Sequence, residues 1–182
     1  MTTVTRDEWM DAGLRTLAAH GEDGLRIDRL CADLGVTKGS FHHHFAGIAD
    51  YRAALLARHE NTVMSMLAEL RAQADGVEPR AAIAALAEAS RSGYDLALER
   101  SIRAWALHDP VANAVEERLD RTRLDVLTDL WQQAVPDRRA ARAAALVPFL
   151  VSIGLELTTT ADEHDRQAVF ELLAALVPHV DA

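Results

Sequence analysis

Two short apolar stripes on either side of Leu34-Gly35-Val36-Thr37 constrain this chain more than any other feature. Ile27, Leu30, Cys31 and Leu34 recur at the three- and four-residue intervals of a single helix face. Beyond the turn, Phe41 and Phe45 stand four apart behind Thr37, a residue type that caps helix starts. Gly35 permits the sharp bend and Val36 plugs the corner, so the two short helices form a helix-turn-helix. Upstream, Thr5-Arg6-Asp7-Glu8 fits a capping box, in which a hydroxyl and a carboxylate each satisfy an orphan amide. It opens a helix expected over 6–20, with Trp9, Ala12, Gly13, Leu14, Leu17 and Ala18 inward and Gly21 as the stop.

Past residue 47 the pattern becomes one of long helices and no convincing strand appears. One continuous helix is expected over 48–74, with Leu55, Leu56, Val63, Met66, Leu67 and Leu70 on its apolar side. Asp75 to Pro79, Ser92-Gly93, Asp109-Pro110 and Val135-Pro136-Asp137 punctuate the remainder of the chain. Two last helices are expected over 138–160, kinked at Pro148, and over 165–179, capped by Asp165. The fold class is all-α, with about nine helices by this punctuation. A three-helix unit occupies 1–46 and a larger helical unit 47–182, with the 48–74 helix belonging physically to both.

Composition narrows the function classes. Of 182 residues, 49% are hydrophobic and 26% charged, the balance of a globular chain. No apolar run is long enough to span a membrane, and the start does not read as a signal peptide. A single cysteine excludes an internal disulfide framework and suits the cytoplasm. The net charge of −9 argues against general affinity for nucleic acid, so any such binding must come from a local site. Lys38, the only lysine, lies in the second short helix.

That helix is the candidate site. With Phe41 and Phe45 inward, Lys38, Ser40, His42 and His44 are left on its outer surface near the helix start. A major groove admits an α-helix, lysine can donate to guanine O6 and N7, and helix-start amides receive phosphate with help from the Thr37 hydroxyl. Gly39 removes a side chain where a sugar-phosphate backbone would come close.

Gly21, Leu25 and the run Leu34-Gly35-Val36-Thr37-Lys38-Gly39-Ser40-Phe41, followed by His44-Phe45, resemble the N-terminal domain of the tetracycline-repressor (TetR) family of transcriptional regulators. The resemblance covers about residues 5–56. It implies DNA contacts at Arg26, Thr37, Lys38, Gly39, Ser40, His42, His43 and His44, and a C-terminal domain that binds an effector and dimerises. Two positions depart from the family pattern: His42 replaces a usual tyrosine, and Ile48 replaces a basic residue that contacts phosphate. Residues 1–50 carry five basic against eight acidic side chains, so a shallow salt dependence of DNA binding is expected.

Other chemistry is disfavoured. Three consecutive helical histidines point about 100° apart and cannot jointly chelate one ion. With no H-E-x-x-H and no histidine pair four apart, no metal site and no cofactor is expected. Cys31 reads as a packed small hydrophobe. The chain lacks a nucleophile elbow, a C-x-x-C and paired catalytic carboxylates at a recognisable spacing, so an enzyme is not expected. Tyr94, Trp105, His108 and Trp131 are candidates either to line an effector cavity or to fill the core of a helical bundle. Phe149, Leu150, Ile153 and Leu157 in one late helix, with Val169, Leu173, Leu176 and Val177 in the last, are expected to form a four-helix dimer interface. Burial within one chain is the alternative.

The expected protein is thus a cytoplasmic homodimeric regulator, a repressor released from a palindromic double-stranded DNA operator by a small-molecule effector. A helical dimer that binds a small molecule or a protein, without binding DNA, is the rival.

Overall fold

The computed structural model describes residues 4–74, 77, 81, 95–158 and 160–175. Among these every regular element is helical: α1 (Arg6–His20), a 3-10 turn (Glu22–Gly24), α2 (Ile27–Leu34), α3 (Lys38–His44), α4 (Ile48–Ala74), α5 (Leu96–Ala106), α6 (Pro110–Gln132), α7 (Arg138–Leu157) and α8 (Glu163–Ala175). The fold is all-α, with an N-terminal helix-turn-helix, as the periodicity predicts. The breaks at Pro79 and at Ser92-Gly93 lie outside the described residues.

Local signals place the boundaries. The Glu8 amide donates to Thr5 Oγ1 at 3.2 Å and the Thr5 amide to Glu8 Oε2 at 2.7 Å, the reciprocal box read from sequence. Gly35 ends α2 at φ 66° and ψ 33°, left-handed backbone that suits glycine. Asp109 receives the amides of Val111 and Ala112 at 2.8 and 3.0 Å, with Pro110 as the first helical residue. Asp137 caps α7 in the same way. Two boundaries differ from expectation. Helix α7 ends at Leu157, three residues early, where Thr158 turns to extended backbone. Helix α8 begins before Asp165: the amide of Asp165 donates to Asp162 Oδ1 at 2.9 Å, and that of Asp162 to Asp165 Oδ2 at 3.1 Å. Asp162 therefore caps the helix and Asp165 closes the box from its first turn.

The chain divides into two compact units. One comprises Met1–Val63 with Asp95–Arg118, the other Met64–Tyr94 with Leu119–Ala182. Helices α4 and α6 each run through a division. In the first, Trp9, Leu17, Leu30, Phe41, Phe45, Tyr51 and Leu55 are buried at the centre, and α1 packs on α2 and on α5. In the second, Leu124, Leu127, Trp131, Ala141, Ala145 and Phe149 pack together, small alanines admitting the large rings.

Candidate nucleic-acid interface

The short helix α3 is held from behind by aromatic rings. Phe41 and Phe45 are buried, and Phe41 meets Trp9 edge-on at 5.4 Å between centroids and Tyr51 at 5.4 Å. Phe45 lies 4.8 Å from the Tyr51 ring, and the Arg6 guanidinium sits over its other side at 4.4 Å. The Tyr51 hydroxyl donates to the Trp9 carbonyl at 2.6 Å, and burial pushes its phenol well above the ordinary range. This close approach needs Gly13: a Cβ there would lie 2.1 Å from Tyr51 Oη. Seven residues would be a marginal helix alone, so packing and not propensity holds α3 in place.

With its back fixed, α3 leaves a polar edge outside. Arg26, Thr37, Lys38, Gly39, His42 and His43 are exposed, and Ser40 is half-buried. Thr37 is the N-cap residue, in extended backbone, with no side-chain cap bond, so its hydroxyl is not committed to its own helix. A Cβ on Gly39 would touch only Thr37 Oγ1, at an ordinary 3.6 Å. Nothing within the described chain demands glycine there. Arg26 lies at the start of α2, its Nε donating to the Asp23 carbonyl at 3.2 Å. Ile48, where the family pattern has a phosphate-contacting basic residue, opens α4.

Two placements alter the surface expected from sequence. His44 is not outward: its Nε2 donates to the Val4 carbonyl at 2.9 Å, while its own carbonyl receives Arg6 at 2.7 Å. At the end of α3 the ring finds an unpaired carbonyl of the N-terminal segment, a partner 40 residues away that helix periodicity does not show. Lys38 is exposed but paired to the carboxylate of Asp28 on α2, whose hydrogen bond and charge raise the lysine pKa. Cys31 is buried, and burial pushes its thiol up, which suits a packed side chain.

The remaining candidates do not form one cluster. Tyr94 lies outside the described residues. Trp105 is buried in the first unit. His108 is exposed, and its Nε2 meets Glu22 Oε2 of the 3-10 turn at 2.9 Å. That bond, with the carboxylate charge, raises the His108 pKa and ties the ring to a surface ion pair. Trp131 is buried in the second unit, and its Nε1 finds no hydrogen-bond partner among the described residues. Of the expected dimer-face residues, Phe149 packs inside its own chain against that cluster. Leu150 and Leu157 are 60% and 53% exposed. Ile153, Val169 and Leu173 are half-buried, and Leu176 and Val177 lie outside the described residues. Val147 and Leu172 add exposed apolar surface on α7 and α8 that the helical spacing did not assign to the interface.

None of the described helices is long and apolar enough to cross a membrane. Residues 10–55 match the bacterial regulatory proteins of the tetR family. A transcriptional regulator from Rhodococcus sp. Rha1 superposes with a TM-score of 0.78 at 15% identity, covering 96% of each chain. A TetR-family regulator from Agrobacterium tumefaciens superposes at 0.78 and 14% identity, over 95% of this chain and 97% of its own. The multidrug binding protein EbrR, complexed with malachite green, superposes at 0.66 and 23% identity, over 96% of this chain and 98% of its own. No curated protein matches the chain. The helix-turn-helix segment at residues 10–55 thus carries the signature of the tetR family of bacterial regulatory proteins, and the chain shares the fold of the regulators it superposes on.

Proposed function

We propose that the protein is a homodimeric transcriptional repressor that places α3 of each subunit in successive major grooves of a palindromic operator. The observation that carries this reading is the aromatic backing of α3, which leaves Thr37, Lys38, Gly39, Ser40, His42 and His43 along one accessible edge. Lys38 and Ser40 have the donors for base edges; Thr37, Arg26 and the two exposed imidazoles suit phosphate. An internally unneeded glycine at 39 fits close approach of a sugar-phosphate strand. His44 acts one step back, docking the N-terminal segment against α3. The three-helix segment 1–46 is the DNA-binding domain in this reading, and 47–182 binds effector and dimerises.

Dimerisation rests on α7 and α8. Val147, Leu150 and Leu157 follow one another at helical spacing and are at least half exposed, as is Leu172. A second copy covering this stripe makes a four-helix interface. The dimer then holds its recognition helices about 34–36 Å apart, one turn of duplex. In the second unit the buried Trp131 Nε1 is a donor with no acceptor among the described residues, one that a small-molecule effector would supply. EbrR, of similar fold, is complexed with malachite green. An effector that favours the wrong spacing by about 5.5 kcal/mol would switch binding almost completely.

The test is retention of DNA from upstream of the protein's own coding region, against random duplex, at low salt. Wild type is expected to prefer the upstream DNA, and Lys38→Ala and His42→Ala to lose that preference. A wild type with no preference would overturn the reading in favour of a helical dimer that does not bind DNA.

A further inference from the structure

Three buried ionisable side chains that the DNA-binding reading does not use meet inside the first unit. His59 comes from α4, Glu99 from α5 and Glu116 from α6, and they are only 6%, 1% and 5% exposed. His59 Nε2 faces Glu99 Oε2 at 3.5 Å and Glu116 Oε1 at 3.6 Å. The other oxygen of each carboxylate turns to Arg103: Glu99 Oε1 lies 3.2 Å from one guanidinium nitrogen and Glu116 Oε2 3.4 Å from another. Hence each glutamate presents one oxygen to the imidazole and is oriented through its second.

We infer that His59, Glu99 and Glu116 form a buried binding site for a divalent transition-metal ion of the zinc class, with Arg103 as the positioning residue. The first support is distance. Zinc lies about 2.0–2.2 Å from histidine nitrogen and carboxylate oxygen, so two ligands on a tetrahedral edge stand about 3.4 Å apart. The two observed nitrogen–oxygen separations sit close to that edge, and all three ligand atoms lie within 4.8 Å of one another. The His59 Nε2 is buried, has no hydrogen-bond partner among the described residues and is aimed between two carboxylates.

Charge points the same way. Two buried carboxylates face the imidazole, and in a low-dielectric interior such oxygens are suited to a cation. One nitrogen and two oxygen ligands suit zinc and its borderline neighbours; magnesium and calcium prefer all-oxygen shells. Three protein ligands also leave a fourth position for water. Carboxylates held by an outer partner are how metal sites fix their ligands, the part Arg103 takes here. The three ligands stand on three helices of the unit that carries α3, so an ion would cross-link them.

The full-length protein, stripped with a chelator, is titrated with Co2+ and then with Zn2+, followed by visible absorption and elemental analysis. One Co2+ per chain is expected, with the strong visible bands of low coordination number, displaced by Zn2+. His59→Gln and Glu116→Gln should each weaken uptake at least about 10-fold. Zn2+ should also raise the thermal midpoint of wild type but not of these variants. No stoichiometric uptake by wild type would overturn the proposal, whether or not the variants fold. So would uptake that survives in folded cluster variants but is lost in His43→Ala, because the ion would then sit on the exposed imidazoles of α3. DNA enters none of these measurements, so their outcome is independent of the regulator reading.

Discussion

At Gly13 the backbone of α1 comes so near Tyr51 that a single methyl group would overlap the hydroxyl. The hydroxyl is committed to the Trp9 carbonyl and the ring to Phe41 and Phe45, so it cannot swing aside without disturbing the support of α3. Gly13→Ala is therefore expected to destabilise the first unit by about 1–3 kcal/mol, despite alanine's better helix propensity, and chemical denaturation measures it. Lys38 poses a different question at the same scale. Its ion pair with Asp28 is exposed and screened by solvent, so the pair adds little to the stability of the free protein. In the proposed operator complex the carboxylate would compete with phosphate for the ammonium and repel the duplex. Asp28→Asn should raise operator affinity about two- to five-fold, read by fluorescence anisotropy, with little change in folding stability.

Among the elements, the 3-10 turn after α1 ties more together than its three residues suggest. Glu22 accepts from Arg52 of α4 at 2.8 Å through one oxygen and from His108, just beyond α5, at 2.9 Å through the other. The carboxylate favours the charged imidazole, so the folded-state pKa of His108 lies above its unfolded value. Stability from the pair is thus fully present below the ordinary histidine pKa and is lost as pH rises through the raised one. The thermal midpoint of wild type should exceed that of His108→Gln at about pH 6, with the gap closing on the alkaline side. A gap that stays constant across this range would show that the bond does not depend on the ring's charge.

For the whole molecule, the proposed dimer rests on the apolar stripe of α7. Exposed leucines at 150 and 157 are costly to leave in water, and in that proposal a second copy covers them. Leu150→Glu with Leu157→Glu should shift the protein from dimer to monomer in analytical ultracentrifugation. Operator affinity should fall more than 100-fold with it, because two half-sites no longer bind as one unit. The second unit's core should survive, since neither leucine belongs to the cluster around Trp131 and Phe149.

What the sequence by itself determined has local causes. The Thr5–Glu8 box, the left-handed Gly35, the Asp109-Pro110 start and the inward pair Phe41 and Phe45 each depend on residues within a few positions, so spacing alone reveals them. The all-helical class and most of the polar edge of α3 come from the same periodicity. Only tertiary structure decided which polar groups meet distant partners. His44 reaches Val4, Glu22 reaches His108, and His59 meets Glu99 and Glu116, across 40, 86, 40 and 57 residues of chain. A helix's 3.6-residue repeat says which face a side chain occupies but not what stands opposite it. Those partners are chosen by how separate helices pack, and the desolvation of a buried charge then makes the choice matter.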